Sequence, residues 1–118
     1  MRVAVLNGVN LDVVGRRDPE LYGGLSLNQL ESRIYDWGRE LELQVDCRQT
    51  NSEAEYVGWC HDALELFTVP VVEVHLSNIE EREEWRRHSV IADLAAARVI
   101  GKGPDGYREA LEFLAEQT

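Results

Sequence analysis

The sequence predicts a small doubly wound α/β domain with parallel strands. Two observations carry that expectation. Short β-rich apolar runs alternate with segments whose apolar residues recur at three-four spacing, an order that implies parallel pairing through right-handed crossovers. The chain is also only 118 residues long, enough for one core and not two, so a single domain spanning residues 1–118 is expected. In sheets of this kind the site lies beyond the carboxyl ends of the strands, which confines the search to three loops, after Leu6, Leu76 and Ile100.

Arg2 to Leu6 is a short apolar run suited to a first strand. Asn7 to Gly24 reads as a long polar loop carrying Gly8, Gly15, Gly23 and Gly24; a loop this long in a small domain is usually functional or a lid. Ser26 and Gln29 form a capping-box pattern, followed at helical spacing by Leu27, Leu30, Ile34, Trp37 and Leu41. Leu43 to Cys47 reads as a second strand. Ser52 and Glu55 repeat the capping pattern, and Val57, Cys60, Leu64 and Phe67 continue it as one helix. Val69 to Leu76 is a valine-rich strand, Ile79 to His88 a charged short helix or turn, and Ala97 to Ile100 a last buried strand. Gly101 to Gly106 breaks the pattern before a closing helix, Tyr107 to Glu116, with Leu111 and Leu114 inward.

Composition narrows the functional classes. Apolar residues make up 44% of the chain and charged residues 29%, a globular balance. No apolar run approaches a membrane span, and the four-residue apolar stretch at the start is too short for a signal peptide. The formal charge of −10 disfavours nucleic acid and anionic membranes as partners. Cys47 and Cys60 have neither metal-ligand spacing nor a disulfide framework, which fits a reduced cytoplasmic setting. The single lysine, Lys102, would have to carry any Schiff-base chemistry, so anion binding is expected from arginines or backbone amides.

The strand ends hold the candidate chemistry. Arg17 and Tyr22 lie on one glycine-flanked segment, where an arginine cation would favour a phenolate base; the plainer reading is a solvated arginine and an ordinary loop aromatic. Within Val71 to Asn78, period-two alternation puts Glu73, His75 and Ser77 on one face. Inner parallel strands normally read apolar on both faces, so three polar residues there suggest a ligand, with Glu73 orienting His75 as a general acid. An edge strand with a solvated face is the alternative. Arg82 and Arg86, four apart, would share a helix face and clamp a hydroxyl or carboxylate, or simply pair with neighbouring glutamates. Gly101, Gly103 and Gly106 satisfy a G-x-G-x-x-G pattern, but too near the end of the chain for a dinucleotide fingerprint; a tight turn is expected instead.

Taken together, VLNGVNLDVVGRRDPELYGG, RQTNSEAE, PVVEVHLSNIEEREEWRRHS and VIGKGPDGY resemble, in order, the segments of type II 3-dehydroquinate dehydratase. The resemblance implies a three-layer flavodoxin-like parallel sheet, no cofactor, and anti elimination of water from 3-dehydroquinate to give 3-dehydroshikimate through an enolate. By the same resemblance Tyr22 matches the base, Arg17 the cation that stabilises its phenolate, and Asn10 the holder of the water that supports the enolate. His75 matches the general acid and Glu73 its partner. Leu76 and Ser77 match residues whose amides grip the substrate carboxylate; Arg82 and Arg86 match arginines around the ring hydroxyls.

The sequence also departs from the family. Val9 stands in place of the usual proline and Asp18 in place of a glutamate. A strand-loop-helix segment, ending in an Asn-Pro-Gly-Ala loop in the family, is absent: His61 to Pro70 runs straight into the histidine strand. About four strands are therefore expected, near the lower end of common sheet sizes. Either the first strand closes onto the Val71–Leu76 strand or another subunit fills the space. Such a marginal core implies a homo-oligomer, trimer-based in the family, with Trp37, Trp59 and Trp85 as contact candidates. The competing functional reading is a catalytically inactive relative that binds small acids or assists assembly.

Overall fold

A computed structural model describes residues 1–8, 11–16, 18–66, 70–76 and 95–117. The chain runs through β1 (Arg2–Asn7), a 3-10 segment (Leu11–Arg16), α1 (Pro19–Tyr22), α2 (Leu27–Glu40), β2 (Gln44–Gln49), α3 (Glu53–Leu66), β3 (Val72–His75), β4 (Ala97–Ile100) and α4 (Asp105–Glu116). The strand and helix alternation expected from the sequence is present. The polar segment between β1 and α2 is not plain loop, because Asp18 caps a helix that opens on Pro19 and Gly23 closes it in the left-handed conformation.

Both strand pairs are parallel. β1 pairs with β2 from Arg2–Gln44 to Asn7–Gln49, and β3 pairs with β4 from Val72–Ala97 to His75–Ile100. The four strands therefore form two separate two-stranded sheets, and no ladder joins β1 to β3 among the described residues. Of the two alternatives the sequence leaves open, closure of the first strand onto the histidine strand is not seen among the described residues.

α2 owes its boundaries to local chemistry. Ser26 Oγ accepts from Gln29 N at 3.2 Å, while Gln29 Oε1 accepts from Ser26 N at 2.9 Å. The apolar stripe that follows buries Leu30, Ile34 and Trp37 against β1 and β2. Trp37 is thus a core residue, 9% exposed, and not the surface contact anticipated from its size. Gly38 lets the helix approach the sheet: a Cβ there would lie 2.5 Å from Val45 Cγ2.

α4 packs beside α2 and completes the core, with Tyr107 and Leu111 joining Val3, Val14, Leu43 and Leu76. Gly106 brings it onto the second sheet, where a Cβ would meet Val74 and Val99 at 3.3 Å. α3 lies across the other side of β1, forming the third layer; it runs as the single helix the sequence predicted. Cys47 is half-buried, Cys60 is buried, and both are free.

Candidate active site

The space between β1 and β3 is a cleft of about 540 Å³, within the usual size range of small-molecule sites. Residues of β1 from Val3 to Asn7 form one wall and Val72 to His75 the other. Tyr107, Ala110, Leu111 and Leu114 of α4 close one face; Glu53, Tyr56 and Val57 of α3 close the other.

A polar cluster sits at the carboxyl end of β3. Glu73 is 6% exposed, whereas His75 on the same strand face keeps 28% side-chain exposure. Alternation along the strand puts both on one face, as the sequence pattern predicted, and Val74 turns the other way onto α4. His75 Nε2 donates to Glu73 Oε1 at 2.5 Å. Arg98 Nε donates to Glu73 Oε2 at 3.2 Å from β4. A buried carboxylate needs such partners, since an unpaired charge is expensive to desolvate.

Three further polar residues, Asn7, Tyr56 and Tyr107, line the cleft with Glu73 and His75. Tyr107 OH donates to Asn7 Oδ1 at 2.8 Å, tying α4 to the end of β1. Asn7 Nδ2 is buried with no hydrogen-bond partner among the described residues. Burial holds the Tyr107 phenol well above its ordinary pKa near 10. Tyr56 is pushed up to about 12, first by burial and then by Cys60 and the Glu73 charge. Both phenols therefore stay neutral donors at physiological pH.

The turn after β4 is fastened to the histidine strand. Gly101 N donates to His75 O and Gly103 N to Leu76 O, each at 3.0 Å. Gly101 and Gly103 take positive φ angles of 74° and 59°, which explains the glycines and fits the tight turn read from the sequence. On its far side, Pro104 packs so closely against Gly23 that a side chain there would overlap it. Tyr22, the residue before Gly23, is partly buried against the core.

The predicted site residues therefore separate into groups. Glu73 and His75 meet directly, and Leu76 follows them, buried, with its carbonyl tied to Gly103. Tyr22 sits across the Gly101–Pro104 turn and is not among the residues lining the cleft. Asn10, Arg17, Ser77, Arg82 and Arg86 lie outside the described residues, as do Val9, Trp85 and the charged segment from Ile79 to His88. Sequence reasoning did not select Asn7, Tyr56, Tyr107 or Arg98. A signal existed for Arg98, the one charge in the four-residue run Ala97–Ile100.

A parallel α/β domain with an ionisable pair at a strand tip defines an enzyme-like class of fold. Within that class, the family model described as Dehydroquinase class II matches residues 1–62 and 59–115, and the chain belongs to that family. The 3-dehydroquinate dehydratase of Pelobacter propionicus is 43% identical, over 98% of this chain and 94% of the relative. That of Salinispora tropica is also 43% identical, over 100% and 99%. The type II dehydroquinase structure from Propionibacterium acnes superposes with a TM-score of 0.86 at 37% identity, covering 98% of this chain and 96% of that one. A dehydratase-like protein from Bifidobacterium longum superposes at 0.67 with 29% identity, covering 99% and 97%. The fold is thus the flavodoxin-like one of these structures. The Pelobacter alignment spans 140 positions; 98% of 118 residues is about 116, so about 24 of those positions have no residue here.

Proposed function

We propose that this chain is a 3-dehydroquinate dehydratase acting by anti elimination through an enolate. The observation that carries this reading is the Glu73–His75 pair at the mouth of the cleft, in a chain whose relatives of that name are about 40% identical along almost its whole length. Tyr22 takes the C2 proton, with Arg17 as its cationic partner in this reading. Asn10 holds the water that supports the enolate oxygen, where charge develops. His75 protonates the departing hydroxyl; with Nε2 committed to Glu73, Nδ1 is the nitrogen left to face it. The amides of Leu76 and Ser77 receive the substrate carboxylate, and Arg82 and Arg86 the ring hydroxyls. The whole chain, 1–118, acts as one domain of a cytoplasmic homo-oligomer, without nucleic acid or membrane as partner. Among the described residues no helix is long and apolar enough to cross a membrane.

The positions without a residue here correspond, in this reading, to a strand-loop-helix segment lost near residues 59–62, where the two matched stretches meet. Two parallel strand edges facing each other across an open cleft support that placement. The loss removes substrate contacts and leaves the proton-transfer groups, so the expected signature is a raised KM with part of kcat retained. Ultraviolet detection of enone formation from 3-dehydroquinate tests the reading. Turnover is expected at millimolar substrate and is abolished in Tyr22→Phe; no turnover above background refutes it. The position of Tyr22 outside the cleft lining favours the second reading, a non-catalytic small-acid binder, which calorimetry with quinate would reveal as binding without turnover.

A further inference from the structure

We infer that Arg98 is a positioning residue for the general acid, acting on His75 through Glu73; the inference rests on the dehydratase reading for its kinetic consequence. The parallel register sets Glu73 directly beside Arg98, so their side chains emerge on the same face of the second sheet. Each Glu73 oxygen then has its own donor. Oε1 takes His75 Nε2 at 2.5 Å and Oε2 takes Arg98 Nε at 3.2 Å. Glu73 is 6% exposed, and Arg98 retains 31% side-chain exposure. The carboxylate is therefore held by Arg98 at one oxygen and aligns the imidazole with the other.

The arrangement has a functional direction. A carboxylate held by one partner can rotate about its terminal torsion, which is broad and nearly free of preference. A second donor on the other oxygen removes that freedom and fixes the plane in which His75 lies. Orientation of a catalytic imidazole by a carboxylate that is itself anchored is a recurring device, and misplacement of the acid is felt in turnover more than in binding. Arg98 reaches Glu73 from β4 and is not among the residues that line the cleft.

The experiment compares the full-length protein with Arg98→Met and Arg98→Lys by two readouts. In proton NMR, the His75 ring N–H that bonds Glu73 is expected as a downfield, slowly exchanging resonance, assigned by its loss in His75→Gln. It should vanish or broaden in Arg98→Met and return in Arg98→Lys, which keeps a cation and a donor. In steady-state kinetics, Arg98→Met should lower kcat at least about tenfold with KM within about twofold, and Arg98→Lys should recover part of the loss. An unchanged resonance in Arg98→Met overturns the positioning role, as does a rise in KM with kcat untouched. A parent protein without turnover whose resonance still depends on Arg98 would sink the dehydratase reading and leave the positioning intact.

Discussion

Tyr107→Phe is the sharpest test of how the two half-sheets are held together. The phenol donates to Asn7 Oδ1 at 2.8 Å, and the two residues are 8% and 3% exposed. Phenylalanine keeps the ring in the core and removes only the donor. Asn7 Oδ1 then loses its partner beside an Nδ2 that already lacks one among the described residues. A buried acceptor left unpaired costs about 1–3 kcal/mol. Unfolding entropy of about 2.1 cal/mol/K per residue makes about 0.25 kcal/mol/K for a chain of this length, so each kcal/mol moves Tm by about 4 °C. The expected fall is therefore about 4–12 °C, read by calorimetry or circular dichroism. Asn7→Ala and the double variant complete the cycle, and the pair should cost less together than the two single changes added. A Tyr107→Phe protein melting within about 1 °C of the parent, or strict additivity in the cycle, would refute the reasoning.

Two other outcomes follow from packing and burial. Gly38→Ala places a methyl 2.5 Å from Val45 Cγ2, and overpacking of about 1–3 kcal/mol should outweigh the helix-propensity gain of about 1 kcal/mol; urea unfolding should show the loss, and Val45→Ala should relieve it. The raised phenols make stability fall at alkaline pH: Tyr56 and Tyr107 are neutral in the fold, so their contribution is complete below pH 10 and is lost as pH climbs through the raised values, about 12 for Tyr56. Denaturant midpoints between pH 9 and 12 should drop for the parent and drop less when both are phenylalanine, Cys47, pushed up to about 11 by burial, accounting for part of the remaining fall.

The sequence made legible whatever was set by neighbouring residues. α2 and α3 could be placed because Ser26 and Ser52 hydroxyls accept from the amides three residues on, at 3.2 Å in each case. The polar face of β3 could be read because alternation is a local property of strands. The short helix Pro19–Tyr22 was missed although Asp18 and Pro19 are ordinary start signals; four residues leave no periodicity to detect. Trp37 was misplaced to the surface because size, unlike its position in the stripe of Leu30 and Ile34, says nothing of which face is covered. The pairings of Arg98 and Asn7 are illegible for a different reason. Their partners are 25 and 100 residues away, and only strand register and helix packing bring them together.

That distinction explains why α4 is central to this fold. A two-stranded sheet is marginal alone, and here two such sheets share no ladder among the described residues. Something else must fix their separation and direction. α4 touches both: Gly106 lies under Val74 and Val99 of the second sheet, while Tyr107, the next residue, reaches Asn7 at the end of β1. The Gly101 and Gly103 amides start that helix from the carbonyls of His75 and Leu76. The same span that joins the sheets therefore also sets the height of His75 relative to β1 and to α1, which carries the proposed base. In a sheet with a continuous central strand that geometry would be enforced by backbone pairing. Among the described residues the Gly106 contact, the buried Tyr107 phenol and two turn amides contribute to it, so damage to α4's first turn should lower catalysis and stability together.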